Sequence, residues 1–154
     1  MNKVSILRGI PGSGKSHYAH TLKATTIVSA DTFFTDFQTG AYHFIPAKLG
    51  EAHSACLRDY LIALERAKIY NKPCHIVVDN TNIRAIEVAP YAALALAFGA
   101  ECKVITLRTG AAVAVTRNIH GVPEGTIRGM FDKMVAEEKN FPPYWPHDER
   151  FFAY

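Results

Sequence analysis

Eight consecutive residues, Gly9-Ile10-Pro11-Gly12-Ser13-Gly14-Lys15-Ser16, have the types and spacing needed to hold a chain of phosphates. They match the P-loop pattern G-x-x-x-x-G-K-[ST] at every fixed position. A phosphate chain must be approached by bare backbone. Gly9, Gly12 and Gly14, set around Ser13 in the same loop, carry no Cβ to screen N–H groups that converge on the oxygens. Lys15 supplies a point charge for the β- and γ-phosphates, and Ser16 a hydroxyl for Mg²⁺. A helix opening at this point adds the positive end of its dipole.

Transfer of a phosphoryl group to a hydroxyl needs three more things. These are a carboxylate that orients the hydroxyl and takes its proton, a metal position, and positive charge on the moving group. Asp31 is the candidate base, a role worth about 10²–10⁴-fold; N-capping of the turn that begins at Thr32 is a competing role that can coexist with it. Asp79 ends the run His75-Ile76-Val77-Val78-Asp79, the manner in which a Walker B carboxylate appears. It is the candidate Mg²⁺ residue, acting through a water, with Asn80 and Asn82 as polar neighbours. Arg117 is the candidate cation for the transferring phosphate, His120 an additional donor when protonated, and Arg128 a lesser candidate. His17 and His20 stand at i and i+3 without a third metal ligand, and His53 reads as packed or exposed. Tyr42, His43 and Phe44 suit either stacking on a base or sugar or packing in the core.

The elements that must position these groups alternate in type. Residues 4–7 are an apolar, β-prone run ahead of the glycines, and residues 17–23 a helix-compatible stretch after them. Residues 26–29 form a short strand that delivers Asp31 to its C-terminal end, where open parallel sheets bind ligands. An aromatic-rich loop over 34–44, turning at Gly40, leads to a long helix over 46–70 whose apolar stripe is Leu49, Ala52, Cys56, Leu57, Leu61 and Leu64. A strand over 75–78, a helix over 84–98 ended by Gly99, and a strand over 103–107 follow. A short helix over 110–118 and a turn give a lid around 110–123, before a last helix over 124–139. The tail, 141–154, is too proline-rich for a helix or central strand, and its aromatics predict that it packs along the body. The alternation predicts an α/β, three-layer P-loop NTPase fold with about four to five parallel strands flanked by helices, as a single domain over 1–154.

Composition agrees with a soluble domain of this kind. Of 154 residues, 49% are hydrophobic and 20% charged, with a formal net charge of +3 that suits an anionic substrate without establishing one. Cys56, Cys74 and Cys102 lack C-x-x-C spacing, which argues against a disulfide framework or zinc site. The longest uncharged apolar stretch, 88–100, is too short to span a bilayer, and no signal peptide precedes the first strand, so the expectation is a cytoplasmic protein without a membrane partner. A guanine-reading Asn-Lys-x-Asp is missing after any strand, which weighs against a GTPase switch. An AAA-type motor is expected to need more chain.

Taken together, residues 9–16, Ser29-Ala30-Asp31, Val77-Val78-Asp79-Asn80-Thr81-Asn82, Arg117-Asn118 and Val122-Pro123 resemble the kinase domain of polynucleotide 5′-hydroxyl kinases over residues 3 to about 135. The resemblance implies ATP and Mg²⁺ as cofactors, bound by Lys15 and Ser16. It also implies Asp31 as activator of a nucleic-acid 5′-hydroxyl, DNA or RNA, and Arg117 as a lid arginine. Phe33 and Phe34 stand where phage members carry an arginine for the acceptor phosphate, and His120 is the nearest substitute for a second lid arginine. Asp79 and Asn80 both align with the family's strand-end aspartate. The alternatives are a P-loop kinase of a small hydroxylated metabolite, resembling gluconate kinases, chloramphenicol phosphotransferases or zeta toxins, and an ATP-binding interaction module without turnover.

Overall fold

The computed structural model describes residues 1–151, so 152–154 of the tail lie outside the described residues. Strand β1 (Lys3–Arg8) runs through the glycine loop into helix α1 (Lys15–Thr21), then β2 (Thr26–Val28) and a 3₁₀ turn (Ala30–Phe34). After the aromatic loop come a 3₁₀ turn (Pro46–Lys48), α2 (Leu49–Tyr70), β3 (His75–Asp79), α3 (Ala85–Ala97) and β4 (Glu101–Arg108). Helices α4 (Ala111–Arg117) and α5 (Glu124–Glu137) and strand β5 (His147–Phe151) complete the order. All five strands are parallel, in the order β2-β3-β1-β4-β5.

Successive strand side chains point to opposite faces, and the core divides accordingly. Val4 and Ile6 of β1, Ile76 and Val78 of β3 and Val104 of β4 pack with Ala52, Cys56, Tyr60 and Leu64 of α2 and Val88, Tyr91 and Ala95 of α3. Leu7, Val77, Ile105 and Leu107 face the other way, against Ala19 of α1. The sheet is thus the middle of three layers, as the strand–helix alternation predicts. A further cluster of Ile10, Ile83, Ala114, Ile127 and Met134 ties the glycine loop to α4 and α5 beyond the strand ends.

Two details depart from the sequence reading. The buried stripe of α2 is Ala52, Cys56, Tyr60, Leu64 and Ala67, while Leu49 is exposed. Tyr60 enters the core because its hydroxyl finds a buried acceptor, Tyr91 O at 2.9 Å, and its ring meets that of Tyr91 edge to face. The tail also contributes a strand. Pro142, Pro143 and Pro146 all precede β5, and Pro146, which cannot donate, accepts from Val104 N at 2.9 Å. Prolines before an edge strand leave its ladder intact.

Arg8, the residue before Gly9, is fully buried. Its Nε and Nη2 donate to Ile83 O at 3.2 and 2.9 Å, Nη2 also donates to Met134 O at 2.7 Å, and the guanidinium lies 4.4 Å above the Phe141 ring. Burial lowers its pKa to about 10, so it stays charged at neutral pH and anchors the base of the glycine loop to α5 and the tail.

Candidate active site

The sequence candidates gather at the C-terminal edge of the sheet. Gly9 follows β1, Asp31 lies just past β2, Asp79 ends β3, and Thr109 lies just past β4. Such an edge beside the strand where the order reverses is where open α/β sheets bind ligands. The loop between β1 and α1 is fixed by Gly9 N donating to Thr81 O at 2.9 Å and Thr109 Oγ1 donating to Ser13 O at 3.1 Å. Two glycines are required for different reasons. Gly12 has φ +80°, and a Cβ there would lie 2.1 Å from Ala114 O, so α4 rests directly on the loop. Gly14 has φ +91° with open space where a Cβ would stand, so only its backbone conformation demands glycine.

Lys15 is buried beneath this loop, its Nζ donating to Ile10 O at 2.9 Å and reaching Ser13 Oγ at 3.5 Å. Burial pulls its pKa down to about 8, against the opposing pull of the Asp79 and Asp31 carboxylates. Ser16 Oγ donates to Asp79 Oδ2 at 2.7 Å. Burial pushes the Asp79 carboxyl up, with the Ser16 hydrogen bond and Lys15 acting against that. Asn80 points elsewhere: its Oδ1 accepts from Ala30 N at 2.8 Å, and its Nδ2 donates to Cys56 Sγ and Tyr91 OH. Geometry therefore separates the two residues that the resemblance left as equivalents. Asp79 faces Ser16, and Asn80 anchors the turn that carries Asp31. Asn82, at φ +46°, donates from Nδ2 to Leu7 O at 2.7 Å and holds the strand end in place.

Asp31 sits in the first turn of the 3₁₀ segment, and the N-cap is Ser29, whose side chain accepts from Asp31 N. The capping role weighed for Asp31 thus falls to Ser29, and the carboxylate is left for other contacts. Its Oδ1 accepts from Tyr42 OH at 3.1 Å, and its Oδ2 lies 3.8 Å from His120 Nε2. The rings of Tyr42 and His120 are 4.2 Å apart, so the segment after α4 reaches across to the Asp31 side. Burial, with the Asp31 charge and hydrogen bond, raises the Tyr42 phenol to about 12, which keeps it a donor at neutral pH.

Arg117 is the last residue of α4 and is half-buried. Arg128 pairs with Glu124 one turn back on α5, at 2.9 Å from Oε1. His17, His20 and His53 are exposed. Sequence reasoning missed Tyr42 as a partner of Asp31, Thr109 as a tie on the loop, and Arg8. For Arg8 the available signal was a charge that follows the apolar pair Ile6-Leu7 directly before the glycine loop.

The donor set fits a nucleoside triphosphate with a divalent cation. A buried lysine at the loop, a serine hydroxyl on a buried carboxylate, and open space above Gly14 provide the charge, the oxygen ligands and the room.

Fold and site together define a P-loop domain of kinase-like architecture. The family model described as AAA domain matches residues 4–125, and the chain belongs to that family. NEDD4-binding protein 2 of Homo sapiens is 41% identical over 93 residues, which is 58% of this chain but 5% of that protein. The chain thus spans a small part of that curated relative. Among solved structures, the fold is similar to one in the Pnkp1/Rnl/Hen1 complex, with TM-score 0.56, 21% identity, and coverage of 79% of this chain and 40% of that chain. It is also similar to the Mycobacterium tuberculosis APS kinase CysC in complex with AMPPNP and APS, with TM-score 0.57, 17% identity, and coverage of 97% and 88%. Among the described residues, no helix is long and apolar enough to cross a membrane.

Proposed function

We propose that this chain is a kinase domain that transfers the γ-phosphoryl group of ATP, with Mg²⁺, to the 5′-hydroxyl of a nucleic acid, DNA or RNA. The observation that carries the reading is the placement of Asp31. Its side chain is 52% exposed, one oxygen is held by Tyr42, and it lies within electrostatic reach of both Lys15 and Asp79. A half-exposed carboxylate with one oxygen held by Tyr42 and the other 3.8 Å from His120 Nε2 is suited to orient an incoming hydroxyl.

In this reading the backbone of Gly9, Gly12, Ser13 and Gly14 and the Lys15 ammonium bind the phosphates, and Ser16 and Asp79 hold the metal. The metal, when bound, screens the negative charge that the acceptor oxygen must approach. Asp31 takes the proton of the 5′-hydroxyl as its oxygen bonds to the γ-phosphorus and the bond to the β-phosphate bridging oxygen breaks, leaving ADP. Arg117 and His120, on a lid around 110–123, neutralise charge on the moving group. The ordered motifs shared with polynucleotide kinases support this acceptor. The near-complete coverage of the APS kinase fold supports a second reading, a kinase of a small hydroxylated metabolite.

Incubation with γ-labelled ATP and Mg²⁺ against 5′-hydroxyl oligonucleotides, DNA and RNA, single- and double-stranded, tests between them. Label at the oligonucleotide 5′ end is the expected result. Label found only on small hydroxylated compounds overturns the polynucleotide acceptor in favour of the second reading.

A further inference from the structure

Between Asp31 and Lys48 the chain has four phenylalanines and a tyrosine but no lysine or arginine. The structure divides these aromatics into two sets. Phe34 is buried in the main core, at 5% exposure, and Tyr42 packs against that core while holding Asp31. Phe33, Phe44 and Phe37 are instead 39%, 48% and 103% exposed.

The exposed rings stand on a built support. Phe33 and Phe44 each meet Phe34 at a steep interplanar angle, 85° and 70°, with centroids 5.2 and 5.1 Å away. A single neighbour in such an edge contact can cover one face of a ring at most, so each retains a face that Phe34 does not occupy. The backbone beneath is held as well: Thr35 bridges Tyr42, His43 N donates to Phe34 O at 2.8 Å, and Asp36 Oδ1 accepts from Gln38 N and Thr39 N at 2.8 Å. The ring chain continues from Phe34 to Tyr42 at 6.2 Å, and the Tyr42 hydroxyl touches Asp31. An aromatic surface without lysine or arginine, its backbone held by these hydrogen bonds, therefore begins one side chain away from the candidate base.

Resting on the kinase reading above, we propose that Phe33 and Phe44 form a stacking platform for the terminal base of a single-stranded 5′-hydroxyl oligonucleotide, which is recognised here by its π-face rather than by its phosphates. Every base offers a π-face, so such a platform tolerates sequence. The segment carries no lysine or arginine to release counterions, so its share of the affinity is insensitive to salt.

The test is fluorescence anisotropy of a single-stranded 5′-hydroxyl hexanucleotide labelled at its 3′ end, without ATP, at 50 and 200 mM salt. A second oligonucleotide carries an abasic sugar at the 5′ position. Phe33→Ala and Phe44→Ala should each weaken binding by about 5- to 150-fold, by the same factor at both salt concentrations. The abasic oligonucleotide should bind wild type correspondingly less well and should be indifferent to either variant. Phe44→Trp should preserve binding, whereas Phe33→Leu and Phe44→Leu, which keep apolar volume, should not; thermal midpoints verify that the variants fold. Equal binding of intact and abasic oligonucleotides overturns the platform, as does wild-type affinity in the leucine variants or a loss that fades with salt. A protein that phosphorylates oligonucleotides but shows any of those results loses the platform and keeps the kinase reading. Transfer only to small metabolites removes the polynucleotide acceptor instead.

Discussion

At the scale of single residues, burial of a charge is the feature with the clearest consequence. Lys15 would ordinarily titrate near 10.5 and is held at about 8 because it is taken out of water. The free protein therefore begins to lose the Lys15 charge as pH rises through about 8. ATP affinity, measured by calorimetry between pH 7.5 and 9.5, should weaken above pH 8 by up to about tenfold per unit. A flat profile would contradict the assignment of Lys15 to the phosphates. The linkage also has a sign for stability. Between about 8 and 10.5 the unfolded chain binds more protons at this lysine than the folded one, so its contribution to stability grows as pH rises through that window. The two left-handed glycines provide a second contrast. Gly14→Ala meets only backbone strain and should cost about 1–2 kcal/mol. Gly12→Ala must also displace Ala114, and should cost about 2–5 kcal/mol in urea unfolding. Equal costs would contradict the close approach of α4 to the loop.

At the scale of elements, β5 and the residues before it close the sheet edge and cover Arg8. Phe141 and Trp145, both partly buried, pack against the main core, and each contributes at most about 1.5–3 kcal/mol, the value for full burial. A chain ended at Asn140 should melt about 10–20 °C lower by calorimetry, and an unchanged melting temperature would contradict the role given to this strand. The sequence made the P-loop legible because its chemistry demands contiguous residues with rigid spacing, and the strand–helix alternation made the layers legible. What escaped depends on contacts between distant segments. Tyr42 reaches Asp31 only because the loop folds back through the Thr35–Tyr42 bridge, and His120 reaches them from the segment after α4. Asp79 and Asn80 are adjacent, and which of them faces Ser16 depends on strand side-chain alternation, which the sequence does not state. The edge strand was hidden by prolines whose carbonyls accept perfectly well.

At the scale of the whole molecule, one parallel sheet brings the ends of four strands to a single edge, with the glycine loop at its centre and Asp31 at its rim. Helices α4 and α5 share a core with the glycine loop, so the two helices and the loop are packed as one unit. The central claim is that this edge performs phosphoryl transfer with Asp31 as the base. The most direct measurement is the single-turnover rate of label transfer from γ-labelled ATP to a 5′-hydroxyl oligonucleotide by Asp31→Asn, beside its ATP affinity. The account predicts a rate lower by about 10²–10⁴-fold with ATP affinity unchanged. Transfer at the wild-type rate in Asp31→Asn would contradict it.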